Sequence, residues 1–474
     1  MVKKVLDRTG WHTSTKERRV YWTYFFGQNM IYMYIYMFLA TYLLLCGLDA
    51  AATAGVLIAV KVWDAVNDII FGTLIDKVRF KKGGKFIPWL RISLPVILVA
   101  TLFLFGIPQD LGMGTKLIWF AVAYILFDTG YTISDVPVYG LVTTMTNSQS
   151  ERTELMAKSR ITSYSGALLV LIAGYILPSE QVGMSFTTIS QIIVAIAFAT
   201  MLWLCIYGKE HLVGDRKNEK TYTMREMLCY IVKNKYLLIF FGGLFFFAGL
   251  NTAQSVLQFA TFYLFDSAML ATAIALIAFV PAVVISFFLP ALLRRFDKHK
   301  MILISALVAF VLSVIIWAIG PVLVPHLVLS VLRGFALGGV TVLQFMFTPD
   351  CAEYGEYQTG TEAKGITFAI QTFTMKITAA VSAALGLMVL GLFGWQSVAA
   401  ESFAELATLG VTQSATAIAA LWAVYSFIPA IGIGLAVFLW TRYQLRPQDV
   451  QLMARYNKGE ITREECDAGL SRKY

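Results

Sequence analysis

Asp64, Asn67 and Asp68 lie at i, i+3 and i+4 in the stretch Val62-Trp63-Asp64-Ala65-Val66-Asn67-Asp68. On a helix all three project from one face. Two carboxylates one turn apart repel each other unless a cation or a proton lies between them. With the carboxamide they form an oxygen-rich surface of the kind that hard cations prefer. The setting is costly, because a charged residue at a bilayer centre costs about 2.5–3.5 kcal/mol on insertion scales. A helix leaving the membrane early would give the carboxylates to water, but Ile69, Ile70, Phe71, Leu74 and Ile75 continue the apolar run beyond them. The spacing therefore predicts a cation site inside a spanning helix. Lys61, three residues before Asp64 on the same face, is expected to tether that carboxylate or to border a cavity.

Other ionisable residues fall at a similar depth. Asp135 precedes Val136-Pro137, and Arg160 lies in the following apolar run; they stand 12 and 13 positions either side of Asn147. Antiparallel neighbours equidistant from their turn share a level, here roughly 18 Å from the helix ends at about 1.5 Å per residue. Asp64 is 12 residues from Asp76, and Lys376 is 12 residues from Lys364. The four are expected to meet in a central cavity, with Asp135 and Arg160 paired. Tyr131 and Tyr139 flank Asp135 at i−4 and i+4. Aromatic faces beside a carboxylate and a guanidinium suit a sugar ring, with its C–H faces and hydroxyl rim. Lys376 has no acidic neighbour in Phe373-Thr374-Met375-Lys376-Ile377-Thr378, so its partner is expected from the N-terminal half.

The elements that hold these residues must be membrane helices. The 474 residues are 58% hydrophobic and 14% charged, with a mean hydropathy of +0.69. Apolar runs of about 20 residues recur along the chain. Twelve spans are expected, at about 21–46, 52–76, 88–107, 115–144, 155–177, 185–207, 236–265, 268–292, 300–319, 325–347, 366–394 and 415–441. The net charge of +9 gathers in the links after even-numbered spans, which argues against nucleic acid and places both termini in the cytoplasm of a cell membrane. Residues 1–20 read as a cytoplasmic lead-in without a signal peptide. Residues 21–207 and 236–441 form two six-helix sets, 208–235 a linker and 442–474 a tail, solvated or capping the cytoplasmic face. Cys46, Cys205, Cys229, Cys351 and Cys466 show no metal-ligand spacing. All four histidines are placed in tails or links, leaving no histidine proton relay in the membrane.

The halves echo each other. Gly72-x-Leu74-x-Asp76, followed by Arg79 and further basic residues, closes the second span. Leu292-Leu293-Arg294-Arg295-Phe296-Asp297-Lys298 closes the eighth. This is the pattern of the major facilitator fold, an all-α architecture of two pseudo-symmetric six-helix bundles. The acidic link Asp350-Cys351-Ala352-Glu353-Tyr354-Gly355-Glu356-Tyr357 interrupts the basic pattern; Glu353 and Glu356 are expected to gate by pairing with the basic loops after spans two and four.

Trp63-Asp64-Ala65-Val66-Asn67-Asp68, Gly84-Lys85-Phe86-Ile87-Pro88-Trp89, Asp135-Val136-Pro137 and Glu353-Tyr354-Gly355-Glu356-Tyr357 together resemble the glycoside–pentoside–hexuronide:cation symporters, the melibiose permease family. The resemblance covers residues from about 20 to 440. It implies a coupling-cation site at Asp64, Asn67 and Asp68, with Thr132 as a fourth oxygen and Na⁺, H⁺ or Li⁺ as the ion. It implies sugar contacts at Tyr131, Asp135, Tyr139, Arg160, Thr372 and Lys376. Gln28-Asn29 stands where the permease carries an acidic residue and a lysine, and Tyr139 and Thr341 stand where it carries tryptophans. Coupling is therefore expected to persist while the sugar differs, with Asn29 in the substrate site and Gln28 and Thr341 lining the cavity. The expected partners are a sugar or glycoside, a monovalent cation and the bilayer, handled by a monomeric transport unit without any cofactor. A lysolipid or other amphiphile carrier on the same scaffold is the alternative. No GxxxxGK[ST], HExxH or GxSxG motif and no Cys/His cluster supports an enzyme.

Overall fold

Polar caps set where the helices begin. In the computed structural model, which describes residues 13–78, 80, 84–211, 230–360 and 364–472, Ser14 and Glu17 form a capping box at the head of α1 (Thr15–Leu45). The Asp49 side chain accepts from the Ala52 N–H at 2.7 Å to start α2 (Ala50–Lys77). Ser148 and Ser185 start α5 (Gln149–Ile176) and α6 (Phe186–Tyr207) in the same way. Each side chain satisfies a backbone donor that the first helical turn leaves open. α3 (Ile87–Leu104) and α4 (Met113–Met145) complete the first set.

Two compact units result. The first comprises the described residues up to 211 together with Ser267–Thr272 and Gly394–Ser414. In it α1 packs on α5 and α6, α3 on α4 and α6, and α2 on α4. Tyr21, Tyr24, Phe25, Tyr34 and Phe38 of α1 are buried at its centre. Gly166 of α5 meets α1 so closely that an added Cβ would lie 2.6 Å from the Phe26 carbonyl oxygen, the close helix approach that small residues allow in membranes. The two short segments from the second half of the sequence are tied in by backbone bonds. Ala400 donates to the Leu45 carbonyl at 2.8 Å and Phe403 to that of Pro178 at 2.9 Å.

The second unit takes the remaining residues. Its seventh span is two helices, α7 (Lys235–Gly249) and α8 (Ala253–Phe265). At the break the Ser382 hydroxyl satisfies the Asn251 carbonyl at 2.7 Å, and Thr252 donates to the Val424 carbonyl at 2.5 Å. α9 (Leu270–Leu293), α10 (Lys298–Ile319), α11 (Leu323–Leu343) and α13 (Lys364–Leu392) follow. The last span is α15 (Ala415–Trp422), a π turn over Ala423–Phe427 and α16 (Ile428–Trp440). Phe240, Phe347, Trp440 and Tyr443 stack into one aromatic core.

Among the described residues eleven helices are long and apolar enough to cross a bilayer, and α2 opens with the shorter apolar stretch Ala50–Lys61 before its charges begin. The all-helical, multi-pass architecture expected from the hydropathy is the one observed.

Three stretches outside the expected spans carry helices. The acidic link is helical, as α12 (Thr348–Thr359), because Pro349 sits at its first turn and Gly360 ends it in the left-handed region. The 395–414 stretch contains α14 (Phe403–Leu409), capped by Ser402. The tail folds into α17 (Pro447–Asn457) and α18 (Arg463–Gly469), which bury Met453 and Cys466. Of the basic signature after the second span, Arg79 lies outside the described residues, and Asp76 ends α2 with only its backbone described.

Candidate functional site

In the first unit α2 and α4 bring an oxygen cluster together. The Asn67 carboxamide nitrogen donates to Thr132 Oγ1 at 3.0 Å and to Asp128 Oδ2 at 3.2 Å. Thr132 in turn donates to Asp68 Oδ1 at 3.1 Å. Asp64, Asn67, Asp128 and Thr132 are all buried. Lys61 Nζ pairs with Asp64 Oδ2 at 3.2 Å and lies 5.2 Å from the centre of the Tyr124 ring. Trp63 Nε1 reaches Thr129 Oγ1 at 3.3 Å and adds a second tie between the helices. Asn67 Oδ1 is buried and accepts no hydrogen bond. A buried carbonyl oxygen left unpaired carries a desolvation cost that a cation ligand would relieve.

Asp128 was missed by the sequence reading. It sits four residues before Thr132 and seven before Asp135, on the same face of α4; stepping back one turn from Thr132 would have found it. Among the described residues no three His, Cys, Asp or Glu side chains converge as a metal centre. The oxygen set depends on the amide and the hydroxyl as well as the carboxylates, a donor set that fits a hard cation rather than a soft metal.

Toward the next turns of α4, Gln28 Nε2 of α1 donates to Asp135 Oδ1 at 3.2 Å and to Ser134 Oγ at 3.3 Å. The Tyr24 hydroxyl and Ser134 lie 2.7 Å apart. Tyr131 packs on Tyr32 and Phe127, with ring centres 5.3 and 5.7 Å away. Tyr139 is 39% exposed, its ring 5.2 Å from Phe25. Asn29 is half-buried on α1. Arg160 is exposed on α5, and no described ion pair or hydrogen bond joins it to Asp135, in contrast to the expected pair. Its charge acts on Tyr139.

The second unit holds the remaining candidates. Thr372 is exposed on α13, its hydroxyl donating to the Phe368 carbonyl at 3.2 Å, and Lys376 is half-buried one turn further on. Thr341 of α11 donates to the Gly338 carbonyl at 3.0 Å. Of the acidic residues on α12, Asp350 pairs with Lys298 at 2.5 Å, the basic residue after the eighth span. Glu353 accepts from Asn457 of the tail at 2.9 Å, and Glu356 is half-buried. His326 is no link residue. It lies in the first turn of α11 and is 2% exposed, packed against Phe265 and Tyr425.

Residues 23–446 match the model of the MFS/sugar transport protein family. The chain belongs to that family. The MFS/sugar transport family accounts for the all-helical fold, and the similar proteins agree with the symporter resemblance. An uncharacterised symporter of Bacillus subtilis is 24% identical over 92% of this chain and 94% of its own length. The isoprimeverose transporter of Lactiplantibacillus pentosus is 23% identical over 86% and 84%. The glucuronide carrier protein homologue of Escherichia coli is 25% identical over 75% and 79%. Among solved structures, a bacterial homologue of the human lysosomal transporter Spinster aligns with a TM-score of 0.63 at 13% identity, over 91% of this chain and 97% of that one. The nucleoside transporter NupG aligns at 0.61 and 14%, over 91% and 100%. Such likenesses speak for the fold alone. The chain is a membrane transport protein of the MFS/sugar transport family, not an enzyme.

Proposed function

We propose that this protein couples the entry of a sugar or glycoside to that of a monovalent cation, Na⁺ first, with H⁺ or Li⁺ as the alternative ions. The observation that carries the coupling is the hydrogen-bonded chain Asp128–Asn67–Thr132–Asp68, buried but for Asp68, with the Asn67 carbonyl oxygen left unpartnered. A cation there relieves the repulsion among Asp64, Asp68 and Asp128. Thr132 links α2 to the turn of α4 that ends in Asp135, so loading the ion orders the face on which Tyr131 and Asp135 hold the sugar. Ion and sugar then raise each other's affinity by the same factor, and access alternates between the two membrane faces. Gln28 orients Asp135, while Arg160, Tyr139, Asn29, Thr372, Lys376 and Thr341 supply further sugar contacts. Lys61 holds Asp64 in place. Asp76, Arg79, Glu353 and Glu356 take part in gating on the cytoplasmic side, with both termini there, in the cell membrane, and with one chain as the transport unit.

The isoprimeverose and glucuronide carriers among the relatives support a glycoside as cargo. Uptake of a radiolabelled glycoside panel into vesicles, with and without an inward sodium gradient, tests the reading. Gradient-stimulated uptake of at least one glycoside is expected. Uptake of lysolipid in place of every glycoside would overturn it.

A further inference from the structure

The second unit's membrane charge is of one sign. Over residues 236–265, 270–293, 301–319, 323–343, 366–392 and 415–440 the charged side chains are Arg333 and Lys376, with no Asp or Glu. The helices α2 and α4 of the first unit, by contrast, hold Asp64, Asp68, Asp128 and Asp135. Arg333 stands ten residues from each end of α11, about 15 Å deep at about 1.5 Å per residue. A guanidinium cannot shed its proton, and an ionised group at that depth marks the path of an ion or a ligand.

What surrounds Arg333 is also built to donate. His326, Ser330, Arg333 and Thr341 follow at i, i+4, i+7 and i+15, one face of the helix. His326 Nε2 lies 2.9 Å from the Tyr425 hydroxyl and 3.4 Å from that of Ser330. With both hydroxyls donating to it, the ring proton sits on Nδ1, the tautomer the proposal takes. That nitrogen is buried and has no hydrogen-bond partner. The charge of Arg333 acts on both His326 and Tyr425, and no hydrogen bond or ion pair to Arg333 occurs among the described residues. Tyr425 itself sits in the π turn Ala423–Phe427, the kind of helical irregularity that clusters at functional sites.

A guanidinium with no carboxylate partner among the described residues, on the same helix face as an imidazole N–H without an acceptor and electrostatically coupled to it, is half of an anion site. We propose that the His326–Arg333 face of α11 recognises an acidic group on the cargo, so that the carried glycoside bears a carboxylate or a sulfonate. This rests on the reading of the cargo as a sugar.

The test is equilibrium binding to the purified full-length protein. The probes are a phenyl glucoside, the matching 6-carboxyl glucuronide and the matching 6-sulfo glycoside. At least one acidic probe should bind about tenfold or more tightly than the neutral one, and the tighter of the two names the acid. Arg333→Gln should erase that preference while leaving the neutral probe within about twofold, and Arg333→Lys should keep part of it. Equal or tighter binding of the neutral probe to the wild type overturns the proposal, as does an unchanged preference in a folded Arg333→Gln variant. Gradient-driven vesicle uptake is read separately. Acid-selective binding without gradient dependence would overturn the symport reading and leave the anion site standing.

Discussion

The Asn67 carboxamide nitrogen donates to Asp128 Oδ2 at 3.2 Å, and this bond fixes which end of the amide is free. With its second N–H engaged by Thr132 at 3.0 Å, the amide turns its oxygen to an empty partner position. Asp128→Ala should therefore act through Asn67. The apparent Na⁺ affinity for driving uptake is expected to fall by about tenfold, the equivalent of one charge-assisted hydrogen bond, with a smaller effect on sugar affinity at saturating Na⁺. Titrating uptake against Na⁺ concentration checks it; an unchanged half-saturation point contradicts the role given to Asp128.

At the proposed cation site Lys61 would compete with the ion for Asp64. Their 3.2 Å pair is part-buried, the Lys61 side chain 24% and that of Asp64 8% exposed, so Lys61→Met removes a fixed positive charge and leaves Asp64 to the proposed cation. Tighter apparent cation binding should accompany a less stable protein, since breaking a buried pair exposes an uncompensated charge. Parallel Na⁺ titrations and melting curves read the two effects. Weaker cation binding in a folded Lys61→Met protein would show that Lys61 supports the ion instead.

Glu180 ties Ser267–Thr272 into the first unit. The Ser267 hydroxyl donates to its carboxylate at 2.6 Å and the Ala268 N–H at 3.0 Å. Burial pushes this carboxyl up, but the bonds from Ser267, its own backbone and Gln181 outweigh burial and leave it below its ordinary value. A depressed carboxyl stabilises above its unfolded pKa and loses that contribution as pH falls through the folded one. The 267–272 segment should thus stay protected from hydrogen exchange between pH 7 and 5 and open below about pH 4. Glu180→Gln should open it already at pH 7.

The tail is a structural part of the second unit. Met453 and Cys466 are fully buried, Tyr357 donates to Asp467, and Asn457 holds Glu353. Met453→Ala should cost about 2–4 kcal/mol, as large-to-small core changes do. A lowered melting temperature in detergent is the readout, and an unchanged one would return the tail to solvent.

The helices were legible because apolar runs of membrane length leave little choice of structure. The facing of Asp64, Asn67 and Asp68 followed from the 3.6-residue period alone. What the period could not supply was the partner across the gap. Asp128 and Asn67 pair from two helices, 61 residues apart in sequence; the i−4 spacing from Thr132 marks Asp128 as a candidate, but only packing shows that it meets Asn67. The Asp135–Arg160 pair was inferred from depth, yet depth does not fix the direction in which a side chain leaves its helix; Arg160 is exposed, and its charge and that of Asp135 both act on Tyr139. His326 was placed in a link although the expected span 325–347 begins just before it; α11 starts at Leu323 and carries His326 inside. The interruption at Leu250–Thr252 was hidden because its carbonyls are satisfied by Ser382 and by the bonds of neighbouring turns, which only packing reveals.

The cation site is the centre of this account, and the most direct measurement is sodium-driven glycoside accumulation by the Asp64→Asn/Asp68→Asn protein in vesicles. Both changes keep the size of the side chains and remove the charge that would hold the ion. The double variant should retain sugar exchange at best and lose all stimulation by a sodium gradient. Sodium-stimulated accumulation at the wild-type rate would contradict it.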